Sequence, residues 1–127
     1  MRAVDTNVLV RLLVADDPAQ FRAAEEFIGK GAWVSHVVLA ETLWVLATSY
    51  GRAADQIASS VERLLLQSEL TLQDVEVVAA ALALFRGGPR VEFSDCLILE
   101  IARKAGHLPL GTFDQRLAKP DGAQRIS

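Results

Sequence analysis

The sequence predicts a three-layer α/β/α domain on a short-stranded, mainly parallel central sheet. Three observations carry that prediction. The chain has 127 residues, the usual size of one domain. Its short apolar stretches lack clean alternation with polar residues, as strands covered on both faces do. Segments with helical spacing separate them, the pattern of parallel strands joined by crossover helices. No linker, low-complexity segment or repeat interrupts the chain, so residues 1–127 are read as a single domain.

Met1–Val4 is short, mostly apolar and flush with Asp5, consistent with a buried strand. Thr6–Val14 reads as a short helix. Asp17-Pro18 has the form of a cap followed by a first-turn proline. The helix from Pro18 carries Phe21, Ala24, Phe27 and Ile28 at core spacing as far as Gly29–Gly31. Ala32–Ser35 is a second strand and Val37–Tyr50 a helix closed by Gly51. Residues 53–68 form another helix, with Ile57, Val61, Leu64 and Leu65 on one face, and Glu69–Leu72 a brief strand. Asp74 starts a helix with Val75, Val78, Ala79, Leu82 and Phe85 in register, ended by Gly87-Gly88-Pro89. Ser94–Ala105 is the next helix, closed by Gly106. Leu108–Thr112 is a strand, and Asp114–Lys119 a last turn of helix.

Composition narrows the function. Hydrophobic residues make up 51% of the chain, more than a small interior readily covers, so some apolar surface is expected to face a partner. The longest apolar run, Val77–Phe85, has nine residues, well short of the ~18 that span a bilayer. Met1-Arg2 leads directly into the first strand, leaving no room for a signal peptide. The single cysteine, Cys96, suits a reducing cytoplasm. Net charge is −3, with no basic arm or polybasic tract to advertise nucleic-acid binding.

Most of the 16 acids fit solvated faces, helix caps or turns. Four stand out: Asp5, Glu41, Asp95 and Asp114. Glu41 is the only formally charged residue between Ala32 and Gly51, and its helical neighbours Val37, Val38, Trp44 and Val45 are all apolar. The opposite face carries Leu39, Leu43, Leu46 and Tyr50, so the helix is expected to be buried nearly all round. A buried glutamate must be paired with a distant arginine, protonated or bound to a cation. Asp5, Asp95 and Asp114 each open a helical segment and, taken singly, are N-cap or first-turn acids. Capping does not explain why Asp5 and Asp114 both directly follow apolar strands. Parallel strands end on one edge, where α/β folds bind ligands, and Asp95 can join that edge. Four converging carboxylates need a cation, and oxygen-only donors select Mg²⁺ or Mn²⁺ over zinc.

Other side chains point to structure. Cys96 lies among Leu97 and Leu99 with no nearby histidine, as a buried thiol does. His36 and His107 stand at no metal-ligand spacing, and Trp33 and Trp44 suit a core or an interface.

The segments "VDTNVLVRLL", "VLAETLWVL", "FSDCLILEIARKAG" and "LGTFDQRL", in that order along essentially the whole chain, resemble PIN-domain ribonucleases, specifically the VapC-type toxins of bacterial toxin–antitoxin pairs. The resemblance implies a PIN-like fold and a metal-dependent endoribonuclease, with Asp5, Glu41, Asp95 and Asp114 as the acidic metal-binding set. Thr6, Asn7 and Thr112 match polar positions that accompany that set. Glu92 stands where many relatives have an aspartate and is left outside the site. The implied chemistry is hydrolysis of RNA by a water activated on Mg²⁺ or Mn²⁺. Setting the four acids aside leaves 12 acidic residues against 13 basic ones, so phosphate binding must rely on local cations. Arg11, Arg86, Arg90, Arg103 and Arg116 are candidates, with selectivity expected from RNA shape and single-stranded loops. The family further implies a homodimer and a cognate antitoxin that inserts a basic side chain near Asp5 and Asp95. The surplus apolar residues Trp44, Val45, Leu65 and Leu66 suit such contacts.

Rival readings are a signalling receiver domain, a phosphatase with an aspartyl nucleophile and a catalytically inactive PIN-like binding module. The receiver is suggested by length and by Lys119-Pro120, but leaves Glu41 without a role. The phosphatase needs an aspartate two residues after the first, where this chain has Asn7.

Overall fold

In the computed structural model, which describes residues 1–88 and 90–127, three short strands run parallel in the order β1 (Arg2–Ala3), β2 (Ala32–Val34) and β3 (Leu70–Leu72). Arg2 pairs with Ala32, and Trp33 lies between Ala3 on one side and Thr71 on the other. Helices α1 (Thr6–Val14) and α2 (Pro18–Ile28) connect β1 to β2. Helices α3 (His36–Ser49) and α4 (Ala54–Leu66) connect β2 to β3. These elements form one compact unit, Met1–Val75; residues Glu76–Ser127 form a second. The second contains α5 (Val75–Gly87) from Glu76 onward, α6 (Phe93–Ala105), and the parallel pair β4 (Leu110–Thr112) and β5 (Ala123–Arg125). The fold is thus α/β, with parallel strands and six helices among the described residues.

Local chemistry sets the helix boundaries. Asp17 caps α2 by accepting the Gln20 N–H at 3.1 Å, with Pro18 as the first helical residue. Ser35 caps α3 through the Val38 N–H at 3.1 Å. Gly106, at φ 84°, ends α6 in the left-handed region, which glycine enters without a Cβ clash. The expected stop of α5 holds at Gly87, while its Pro89 lies outside the described residues.

Three expectations need correction, and one strand was not foreseen. Residues 114–119 form no helix; 115–118 are a turn closed by the Ala118 N–H on the Asp114 carbonyl (3.0 Å), and Pro120 prevents its extension. β5 has no counterpart in the sequence reading, because Ala-Gln-Arg has no apolar run to announce a strand. The strands are not covered on both faces: Ala32, Val34, Leu70 and Leu72 are buried, whereas Thr71 is exposed and Trp33 is 37% exposed. Finally, α3 is not buried all round. It packs Leu39, Thr42, Leu43 and Leu46 inward beside α1 and α4, and leaves Val37 78% and Trp44 53% exposed.

Ala15, which closes α1, is exposed and held at φ 56°. An L-residue with a Cβ costs about 1–2 kcal/mol in that region, partly offset by the greater chain entropy of glycine. Ala15→Gly is therefore expected to stabilise the protein by about 0.5–1 kcal/mol in urea unfolding.

Candidate functional site

At the carboxyl edge of the first sheet, Val4 extends the ladder by donating its N–H to the Trp33 carbonyl at 3.1 Å. Asp5 then turns the chain into α1. Its backbone stays extended (φ −100°, ψ 173°) while Oδ1 accepts the Asn7 N–H at 3.1 Å. Thr6 begins the helix buried, and its Oγ1 donates to Oε1 of Glu41 on α3. This hydrogen bond joins two of the sequence-predicted acids through the residue between them. The Gln73 side chain completes the edge, where Oε1 accepts the His36 N–H at 2.8 Å.

The placement of Glu41 corrects the expectation of a buried charge. Its residue is exposed, on the outer face of α3 that also bears Val37 and Trp44. The sequence pattern misleads because both faces of α3 are apolar, while neighbouring elements cover only one. The expected alternative, a distant arginine partner, is also absent among the described residues.

The second unit holds the other two acids. Asp95 is the third residue of α6, and its Oδ2 accepts the Glu92 N–H at 3.1 Å, reaching back to close the first turn. Glu92 is the N-cap residue and contributes this backbone donor. Asp114 organises the turn after β4: Oδ1 accepts the N–H groups of Arg116 (2.7 Å) and Leu117 (3.1 Å). Its own N–H donates to Thr112 Oγ1 at 3.0 Å, so Thr112 orients the acid. Burial pushes the Asp95 carboxyl above the usual carboxylate range; the Glu92 N–H opposes that rise, and the negative charge of Asp114 adds to it. Cys96 beside it is fully buried, and its thiol is pushed up to about 12 by burial and then by the charges of Asp95 and Glu100. It is inert, as its surroundings in sequence predict.

The acids thus come as two sets: Asp5 and Glu41, linked through Thr6, in the first unit, and Asp95 and Asp114 in the second. Each carboxylate spends one oxygen on a protein donor and has no hydrogen-bond partner on the other among the described residues. Among those residues, no group of three or more His, Cys, Asp or Glu side chains gathers closely enough to hold a metal ion. The available donors are all hard oxygens, which fit Mg²⁺ or Mn²⁺ and not a thiolate- or imidazole-preferring metal. No helix is long and apolar enough to cross a membrane among the described residues.

A family profile described as the PIN domain matches residues 2–123, nearly the whole chain and parts of both units. No curated protein and no solved structure gives a match. The receiver reading finds no support in the fold, since Lys119-Pro120 follows a turn and not a strand.

Because Asp95 ionises against burial and against Asp114, its charged form weakens the metal-free fold. A raised folded-state pKa means this penalty is absent below the unfolded pKa and grows as pH rises through the folded one. Asp95→Asn keeps an oxygen for the Glu92 N–H. It is expected to raise the melting temperature of the metal-free protein by a few degrees at most near neutral pH, since solvent screens a half-exposed carboxylate. Thermal unfolding at neutral and acid pH checks it: the gain should vanish in acid.

Proposed function

The chain belongs to the PIN-domain family, a family of mostly metal-dependent nucleases, and on that premise we propose that it is a metal-dependent endoribonuclease of the VapC toxin type. The observation that carries this reading is the half-used state of the four carboxylates. Each is oriented by a local donor, none is neutralised by a cationic side chain among the described residues, and each has one oxygen left for a ligand. Purely structural acids at helix starts explain the first property but not the second at Glu41, which caps nothing.

Asp5, Glu41, Asp95 and Asp114 would hold Mg²⁺ or Mn²⁺. When bound, such an ion supplies charge neutralisation at the scissile phosphate and lowers the pKa of an attacking water. The residues of this chain contribute orientation. The Thr6 hydroxyl fixes one oxygen of Glu41, the Asn7 and Glu92 N–H groups fix Asp5 and Asp95, and Thr112 positions Asp114 through its backbone. Preset carboxylates need no rotamer ordering when the ligand arrives.

The same reading assigns RNA as substrate, a cognate antitoxin as inhibitor, a reducing cytoplasm as location and a second copy of the chain as partner. Val37 and Trp44 on the outer face of α3, and Leu66 (78% exposed) at the end of α4, support the last assignment. Val45 and Leu65 are half-buried and add less than their sequence positions suggest.

Single substitutions Asp5→Asn, Glu41→Gln, Asp95→Asn and Asp114→Asn are expected to lower Mn²⁺-dependent RNA cleavage by about a hundredfold or more, the effect of losing several kcal/mol of charge stabilisation. The fold should persist, because asparagine caps helices about as well as aspartate. Full activity in the Asp5→Asn and Asp95→Asn proteins would overturn the proposal, and a wild type without cleavage would indicate an inactive PIN-like binding module. Sedimentation at micromolar concentration is expected to give a dimer; a mass that stays monomeric there removes the self-association.

A further inference from the structure

Arg103 reads in the sequence as a cation for phosphates, but its guanidinium is engaged inside the second unit. Its Nε donates to Oε1 of the mostly buried Glu100 at 3.1 Å, one turn back on α6. Its Nη2 donates to the Asp121 carbonyl at 2.6 Å, outside the helix. Gly122, the next residue, completes the seat. Its backbone lies at φ 93°, and a Cβ there would stand 3.0 Å from Nη1 and 3.1 Å from Nη2. A glycine admits both that backbone and that guanidinium.

This contact lies at the foot of β5, and hydrogen bonds carry it onward to an acid. The Gly122 carbonyl accepts the Leu110 N–H at 2.8 Å, where the pairing of β4 with β5 begins. At the far end of the pair, the Ile126 N–H donates to the Thr112 carbonyl at 2.8 Å. Thr112 Oγ1 in turn accepts the Asp114 N–H. Asp95 stands on the same helix as Arg103, eight residues earlier, or about 12 Å along its axis. Arg103 thus connects the helix that bears one acid to the strand pair that delivers the other.

Apolar packing leaves that connection work to do. A two-stranded pair is marginal in water by itself, and no residue of β4 or β5 is fully buried. Buried Leu117 anchors the middle of the following turn, so loss of Arg103 is expected to loosen the pair and not to unfold the unit.

We propose that Arg103 is the positioning residue of the Asp95 and Asp114 pair. By clamping the Asp121-Gly122 turn to the end of α6, it holds β4, and through Thr112 the Asp114 carboxylate, at a set place relative to Asp95. That this spacing serves a divalent cation rests on the nuclease reading above; the clamp does not.

Hydrogen exchange of the full, metal-free chain tests the clamp. In Arg103→Gln the amides of Leu110, Asp114 and Ile126 are expected to exchange roughly tenfold or more faster, as a charge-assisted bond is lost. Amides of α1 and α3 should keep wild-type rates. Gly122→Ala, which displaces the guanidinium without removing it, should act in the same way. Arg103→Lys, with one reachable partner and no planar fork, should fall between. Wild-type exchange at those three amides in Arg103→Gln overturns the clamp, and so does an equal acceleration in α1 and α3, the mark of general destabilisation.

Cleavage supplies the second readout. Arg103→Gln should raise the Mn²⁺ concentration for half-maximal RNA cleavage roughly tenfold, with KM for RNA at saturating Mn²⁺ unchanged. Arg22→Gln, an exposed change on α2, should match wild type in both measurements. A raised KM with an unchanged Mn²⁺ midpoint makes Arg103 a phosphate contact and overturns the proposal. A wild type that cleaves no RNA while the exchange pattern holds removes the nuclease and leaves the clamp. Normal cleavage and wild-type exchange in Arg103→Gln remove the clamp and leave the nuclease.

Discussion

Parallel pairing of β1, β2 and β3 brings three strand ends to one edge, and backbone chemistry governs what can follow there. A helix that starts at a strand end has amide groups its own turns cannot satisfy. In this chain the donors at that edge meet side-chain oxygens: Asp5 serves α1, Ser35 serves α3, and Gln73 takes the His36 N–H. The edge is therefore polar by necessity before any ligand is considered. A carboxylate placed there to end a strand is already aimed, and a function that needs aimed carboxylates requires only that the second oxygen stay open.

The second unit repeats this economy with different parts. Asp95 reaches back to Glu92, and Asp114 gathers two amides of a turn while Thr112 holds its own. Capping and ligation are thus compatible uses of one carboxylate, drawing on different oxygens. Capping explains why these acids are rigid, and the unspent oxygens explain what the rigidity can serve. The unfavourable term is electrostatic. Asp95 is held where burial and Asp114 both disfavour its charge, so this part of the unit trades stability for a negative field.

Much of this is legible in the sequence because the relevant signals are local. Asp17-Pro18 marks the start of α2 to the residue, and Gly106 its counterpart at the end of α6. The positions of Asp5, Asp95 and Asp114 at helix or turn starts follow from the same grammar. What escapes is whatever depends on the partner surface. An apolar pattern shows that Val37 and Trp44 are sticky, but not that no element of this chain covers them, so Glu41 reads as buried when it is exposed. β5 escapes because a strand held by ladder bonds to β4, with Leu110 opposite Ala123, needs no apolar residues of its own.

The distribution of chromophores and thiols has a practical consequence. Both tryptophans, Trp33 and Trp44, lie in the first unit, and the sole cysteine, Cys96, lies buried in the second. Intrinsic fluorescence therefore reports on one half of the chain and thiol labelling on the other, without introducing a probe. If the two signals change at the same denaturant concentration, the halves unfold as one cooperative body; if they separate, the family's single profile spans two independent folding units.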